Sequence, residues 1–370
     1  MTNASDEDVE WPVRPRSPCN HTCYLVVNII IFVVGLAGNG SVIYIILRHR
    51  GLRTIPNLLL TNLAIGDLLV IMILVFMNIL SLTIPAVERH QGGCEFIYFV
   101  QFLSVGVSVL TLTAISIDRL ITVVKPMYKQ RENVKERTVT MVVAIWLIAG
   151  VLVAPVFYLV HLDPERPCRF PVGHTSYSVY VVIFFLCFYA IPTTIMVACY
   201  TLMARRLTRK SSLLNRDHGP QRVTGGLRQH EQRTRLAVIV LSMTIAFVIC
   251  TTLFFFRLLV ENFAPTSLIL RNIKLAEAMV ILVKLNSCIN PIILYLMSST
   301  HRRYFMRHFC CCIKPKVTQP RVTTANGISS QFSSNTWLRS TRYGTKMGMR
   351  SSCDKSPVIQ RVVRNEVAKL

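Results

Sequence analysis

Charged side chains are scarce in this sequence, at 16% of 370 residues. A soluble domain carries roughly 25%, so the deficit points towards lipid. Acidic residues are scarcer still, 18 against 41 Lys and Arg, which leaves a formal net charge of +23. A nucleic-acid binder would spread such an excess over a folded polar face. Here the basic residues alternate with long apolar runs, and nucleic acid is excluded as a partner. The twelve cysteines are scattered, several of them in apolar runs, and form no short-spaced pairs of the zinc type. Neither a disulfide scaffold nor a zinc module is expected. No nucleophile–base pair or metal set stands out, which argues against an enzyme. No internal repeat of the kind that builds transporters is present either. The first residues, MTNASDEDVEWP, are acidic and polar and lack the basic stretch and apolar core of a cleavable signal. The first apolar run is therefore expected to act as its own insertion signal.

What the sequence has in abundance is apolar length. A bilayer core about 30 Å thick needs about 20 apolar residues of helix, and seven runs qualify, near 24–47, 57–82, 94–124, 138–160, 177–203, 235–260 and 275–298. The fold class expected is an all-α membrane protein with a seven-helix transmembrane bundle; a β-barrel would show alternating segments of about ten residues instead. Lys and Arg crowd one set of loops (Arg48, Arg50, Arg53; Lys125, Lys129, Arg131, Lys135, Arg137; Arg205, Arg206, Arg209, Lys210). That set belongs in the cytoplasm, which puts the N-terminus outside and describes a multi-pass plasma-membrane protein. Two sequons, at Asn3 and Asn20, then lie on the side where glycosylation occurs. The organisation expected is an extracellular segment over 1–23, the bundle over 24–299, an amphipathic eighth helix with three cysteines over 300–312, and a disordered cytoplasmic tail over 313–370.

Polar residues inside the spans mark where function sits. Cys94 and Arg119 are 25 residues apart on the third span, roughly 37 Å at 1.5 Å per residue, so they lie at opposite faces of the membrane. Gln101, Ser108 and Arg119 fall on one stripe of that helix, which should face the bundle interior. Asp67 sits in the middle of the second span, with Asn39 of the first and Asn286, Ser287 and Asn290 of the seventh as its expected neighbours. Asp67, Ser108, Asn286, Ser287 and Asn290 supply hard oxygen ligands suited to sodium; the plainer alternative is a hydrogen-bonded packing cluster. Cys94 and Cys168 are both extracellular, where an oxidising compartment allows them to bridge. Cys19 and Cys23 lie outside too, and whether they bridge is open.

These features together resemble the class A (rhodopsin-like) G-protein-coupled receptors over about residues 24–312. The matching residues are Gly38-Asn39, the LAIGD around Asp67, Cys94, Asp118-Arg119, Trp146, Pro192 with Tyr200, and Asn290-Pro291. A narrower likeness to the bombesin and endothelin receptor group shows in LRTIPNLLLTNLAIGDLL (52–69), SVGVSVLTLTAISIDR (104–119), FYAIP (188–192) and NSCINPIILYLMS (286–298), including the spacing that places Tyr295 after Asn290-Pro291. The resemblance implies an extracellular peptide agonist and a heterotrimeric G protein, Gq favoured, engaged through Asp118, Arg119, Tyr200 and Tyr295. It also implies arrestin and receptor kinases at the tail. Gln101, Ser104, Phe254, Arg257, Glu261, Glu277 and Lys284 are the residues expected to face a ligand. Amine receptors carry an aspartate where this chain has the uncharged Gln101, which disfavours an amine.

Two departures from the family pattern stand out. On the sixth span, Cys250-Thr251-Thr252-Leu253 replaces the family's Cys-Trp-x-Pro, so the helix keeps the bond a proline would break and signalling could be weak or ligand-independent. Arg233 stands where an acid often holds Arg119, so no ionic latch is expected. The second departure is Lys284, at the position where opsins bind retinal as a Schiff base. Ile97 occupies the usual counter-ion position and the retinal-packing tryptophan is absent. No cofactor is therefore expected beyond sodium, and pairing of Lys284 with Glu277 or a ligand carboxylate is favoured over an opsin-like photoreceptor. The stretch 206–232 reads as a flexible linker. Residues 300–309 form a basic amphipathic helix drawn to the acidic lipid of the inner leaflet, with Cys310, Cys311 and Cys312 placed for palmitoylation.

Overall fold

A computed structural model describes residues 18–83, 91–124, 133–160, 174–214, 223–264 and 273–309, every described element being helical. Seven of the helices are long and apolar enough to cross a membrane. Helix α1 spans Pro18–Arg48, taking up the last six residues of the stretch expected to be an extracellular segment. Helix α2 runs over Ile55–Leu69, through a π-helical turn at Val70–Val75, and on over Phe76–Thr83. Helix α3 is Gln91–Val124, and α4 is Val134–Val153 with a last turn at Val156–Leu159. Helix α5 comprises Thr175–Phe185, a π-helical turn at Leu186–Ala190, and Ile191–Leu214. Helix α6 is Val223–Phe263, α7 is Ile273–Met297, and α8 is Ser299–Phe309.

The apolar runs end where the helices leave lipid because a bilayer offers no partner for backbone polar groups. Outside it, the helices continue further than the sequence suggests. The expected linker over 206–232 shrinks, since α5 reaches Leu214 and α6 already starts at Val223. Gly225 and Gly226 are tolerated inside α6, where each costs about 1 kcal/mol relative to alanine, because Leu227, Arg228, Gln229, Glu231 and Gln232 favour helix.

Helix α3 is the axis of the bundle, with 78% of its most apolar window buried, against 22% for α4, whose side chains mostly face lipid. Close approach to α3 is set by Gly106, where an added Cβ would lie 2.7 Å from the Phe188 ring of α5 and 3.3 Å from Ala149 of α4. Phe188 is fully buried inside the α5 π turn. Pro192 explains that turn: its ring would clash with the carbonyl four residues earlier, which is that of Phe188, and a wider turn removes the clash. The α2 π turn, three residues beyond Asp67, has no such proline.

Candidate functional site

The polar centre of the bundle is built by α1, α2 and α7. Proline at 291 sits inside α7 and has no N–H for the carbonyl of Ser287. Asn39 of α1 takes up that carbonyl, donating from Nδ2 at 2.8 Å, and donates also to Gly35 O at 3.0 Å. The contact is close because residue 38 is glycine; a Cβ there would lie 2.8 Å from Pro291. Asn39 therefore serves the α7 backbone rather than Asp67, the neighbour expected for it. Asp67 instead accepts from Asn290 Nδ2 at 2.9 Å through Oδ2. Its Oδ1, with Asn286 Oδ1 and Asn290 Oδ1, is buried without a hydrogen-bond partner among the described residues. Ser108 and Ser287 are buried in the same core, and Gly66 brings the Ser108 hydroxyl to about 4.0 Å from where its Cβ would stand. A cavity of about 10 Å³ beside Asn39 and Asn290, lined otherwise by apolar residues including Leu60, Leu63, Met243 and Leu294 and not by Asp67, has room for about one water. An acidic oxygen beside amide oxygens that lack donors suits a small hard cation.

A second polar junction, which the sequence did not single out, is Asn62. It donates to Thr111 Oγ1 at 2.8 Å and accepts from Trp146 Nε1 at 2.8 Å, tying α2, α3 and α4 through one amide. The only signal for it was an asparagine five residues before Asp67.

At the cytoplasmic end, Asp118 and Arg119 form an ion pair at 2.9 Å, with side chains 1% and 10% exposed. Tyr200 shares hydrogen bonds with Ser116 at 2.9 Å and Thr244 at 3.1 Å, joining α5 to α3 and α6. Tyr295 shares one with Ser41 at 2.9 Å and stacks on Phe305 of α8. The Arg233 side chain lies outside the described residues. Two positions on, Arg235 donates from Nε to Met297 O at 3.3 Å. The foot of α6 is thus held to the end of α7 by a contact other than the Arg119 latch considered from the sequence.

In the outer half, Gln101 is buried on the same face as Ser108 and Arg119. Its amide has no hydrogen-bond partner among the described residues. On α6, Arg257 pairs with Glu261 at 3.6 Å, within electrostatic reach of Tyr98 and Tyr177. Phe254 packs on Phe102, and Phe255 on Phe184 and Tyr189, so aromatic rings fill the region where the family's tryptophan would stand. Two expected ligand-facing residues are engaged elsewhere. Ser104 donates to Gly66 O at 3.3 Å, because a serine one turn below Gln101 meets the α2 backbone. Lys284 turns to α1: it is 4% exposed, donates to Asn28 Oδ1 at 2.9 Å and Tyr24 Oη at 3.4 Å, and lies 5.3 Å from the Tyr24 ring centre. Asn28 and Tyr24 are partners the sequence reading missed. The side chains of Glu277, Cys94, Cys168, Asn20 and Cys310 to Cys312 lie outside the described residues, as does Asn3.

Comparison with known proteins agrees with this arrangement. Residues 38–294 match the family described as 7 transmembrane receptor (rhodopsin family). The chain is 32% identical over 311 residues to bombesin receptor subtype-3 of Ovis aries, covering 80% of this chain and 76% of that protein. It is 29% identical over 316 residues to a bombesin receptor of Bombina orientalis, covering 81% and 79%. It is also 32% identical over 308 residues to the neuropeptide CCHamide-1 receptor of Drosophila melanogaster, covering 76% of this chain and 59% of that one. With seven membrane-crossing helices around an Asp67–Asn290 centre, the chain belongs to the rhodopsin family of seven-transmembrane receptors, class A of the G-protein-coupled receptors, within the bombesin group: a multi-pass plasma-membrane protein and not an enzyme.

Proposed function

We propose that this receptor binds an extracellular peptide and, when occupied, catalyses nucleotide exchange on a heterotrimeric G protein, with Gq the favoured partner. The observation that carries the ligand class is the outer half of α3 and α6. A buried amide at Gln101 stands on α3, where amine receptors carry an aspartate, and α6 carries an Arg257–Glu261 pair near Tyr98 and Tyr177. A peptide offers what such a surface reads: backbone amides, aromatic side chains and groups of either charge. The relatives named for bombesin and CCHamide support the same reading. Lys284 supports it from the other side, since an amine sealed between Tyr24 and Asn28 of α1 is poorly placed to condense with retinal.

The experiment is a screen of amidated neuropeptides on cells expressing the receptor, read by calcium and by cAMP, with Arg119→Ala as the signalling-dead control. An agonist should raise calcium in the wild type, lose potency with Gln101→Ala, and do nothing in the control. A receptor that no peptide moves, with a basal signal equal to that of the control, would sink the reading.

Asp67, Ser108, Asn286, Ser287 and Asn290 would hold a sodium ion. The fit rests on buried oxygens without donors. Bound there, the ion would supply positive charge to the Asp67 carboxylate in the inactive bundle.

A further inference from the structure

The imidazoles of His49 and His308 come from elements far apart in the chain and meet beneath the bundle. Their Nε2 atoms are 2.8 Å apart and their ring centres 5.0 Å, so the rings meet nitrogen to nitrogen. Backbone holds His49 on both sides. Its amide donates to Ile45 O at 3.2 Å and its carbonyl accepts from Leu52 N at 2.9 Å. Tyr304 of α8 stacks on the His49 ring with centres 4.2 Å apart. Tyr44 of α1 meets His308 edge-on at 5.7 Å and Phe309 at 5.9 Å. This cluster docks α8 on the end of α1, and both histidines in it are half-buried.

Two nitrogens at that distance need a proton between them. A neutral imidazole has one N–H and one bare nitrogen, whereas an imidazolium has two N–H groups. The contact therefore holds when both rings are neutral, one Nε2–H donating to the other Nε2. It holds also when one ring alone is charged. It fails when both are charged, because two N–H groups then point at each other and two like charges stand at contact. The surroundings of His49 do not offset the second charge. Among the described residues the charges that act on it are His308 and Arg307 of α8 and Arg48 of α1, all basic. Arg50 and Arg53 stand in the turn that follows, Arg53 donating to Leu47 O. Tyr44 and Tyr304 bring rings and no carboxylate. Partial burial, then His308, Arg48 and Arg307, holds His49 below the ordinary 6.5.

We propose that the His49–His308 pair is a proton-operated clamp, which docks α8 on α1 while at least one imidazole is neutral and releases it when acidification of the cytoplasm charges both. A docked state that resists the charged form of a histidine is favoured above the ordinary histidine range and lost as pH falls below it. Because the first proton leaves the contact intact, release follows the second. Phe305 of α8 stacks on Tyr295 of α7 at 4.7 Å, so release also frees the inner end of α7. The clamp does not depend on the identity of the extracellular ligand.

The test uses the full-length receptor in phosphatidylcholine nanodiscs, in a His301→Asn background that removes the other buried imidazole of α8. Hydrogen exchange of the amides of 299–309 is measured at about pH 7.5 and about pH 5, on either side of the histidine range, and corrected for the intrinsic effect of pH on exchange. Protection of the segment should fall at least about tenfold between the two. In His49→Phe and in His308→Phe, which keep a ring in place but cannot form the second charge, it should change by less than about twofold. An equal fall in either phenylalanine variant would overturn the proposal, and so would no fall in the background receptor. Should a phenylalanine variant leave α8 unprotected already at the higher pH, spectra of the 15N-histidine-labelled background receptor decide. The two rings should then take up protons in steps more than about one pH unit apart, with protection lost on the second. Coincident titration of the two rings would refute the clamp.

Discussion

At the residue scale, an aspartate in the middle of a membrane span is expensive unless its oxygens are engaged, and only one oxygen of Asp67 is engaged, by Asn290. If sodium completes the site, it is a ligand of the inactive bundle and must oppose agonist binding. Raising sodium at constant ionic strength should therefore lower agonist affinity, and Asp67→Asn should abolish the dependence in a radioligand titration; an unchanged sodium response in the variant would refute the assignment. Lys284 makes the complementary case. Its ammonium relies on Asn28, and a buried charge stripped of its acceptor costs more than the pair is worth. Asn28→Leu should lower stability by about 2 kcal/mol. The double variant with Lys284→Met should recover most of that, read as the thermal midpoint in detergent; losses that simply add would contradict it.

At the element scale, α5 departs from plain α-geometry and α6 from the family pattern, each for a stated reason, and α8 is fixed by the residue that opens it. In α5 the π turn accommodates Pro192 and presses Phe188 against Gly106. Gly106→Ala should overpack this contact and cost about 1–3 kcal/mol, seen as a lower thermal midpoint. Helix α6 is uninterrupted because residue 253 is leucine. That side chain is 37% exposed, so Leu253→Pro meets lipid and breaks only the backbone bond. Thr251 is 1% exposed and has no room for an indole without overpacking. Leu253→Pro alone should therefore shift basal G-protein activation per surface receptor, and an unchanged basal signal would mean that the kink is irrelevant here. Helix α8 opens on Ser298, whose hydroxyl accepts from the His301 N–H at 3.4 Å and shares a hydrogen bond with His301 Nδ1 at 2.8 Å. Burial depresses His301 from 6.5 to about 4. A histidine kept neutral by the fold gives stability that is present above its unfolded pKa and lost as pH falls through the window from about 6.5 to about 4. The effect is bounded at about 3 kcal/mol. His301→Asn, which can still bond Ser298, should flatten the acid limb of a thermal-midpoint profile. His49 is depressed in the same sense and should leave a remnant.

At the scale of the whole molecule, the bundle separates three tasks along the membrane normal. The outer half carries Gln101 and the Arg257–Glu261 pair proposed to meet the ligand, and the centre holds a buried polar core around Asp67. The inner half carries Asp118-Arg119, Tyr200 and Tyr295, each tied to a neighbouring helix. Helices α6 and α7 are bridged at the base by Arg235 and Met297. Helix α7 ends with its carbonyl dipoles exposed, so a guanidinium there is favourable and must let go if α6 swings outward. Arg235→Gln should raise basal signalling, and a lower basal signal would show that the contact supports activation instead.

The number and approximate place of the spans were legible in the sequence because lipid leaves a backbone no alternative to helix. Asp67, Asn290 and Arg119 were legible for a related reason: polar groups at membrane depth are rare enough to be conspicuous. Beyond the Asp67–Asn290 pair, which residues meet was not. Each residue turns a helix by about 100°, so the rotation and close approach of neighbouring helices decide partners that hydropathy cannot see. Packing of Gly38 on Pro291 gave Asn39 to the Ser287 carbonyl, and the packing of α7 on α1 gave Lys284 to Asn28. Beyond the bilayer the lipid constraint ends, which is why α5 and α6 outran the expected linker. Only the folded chain could bring His49 to His308, because nothing in either segment alone requires the other.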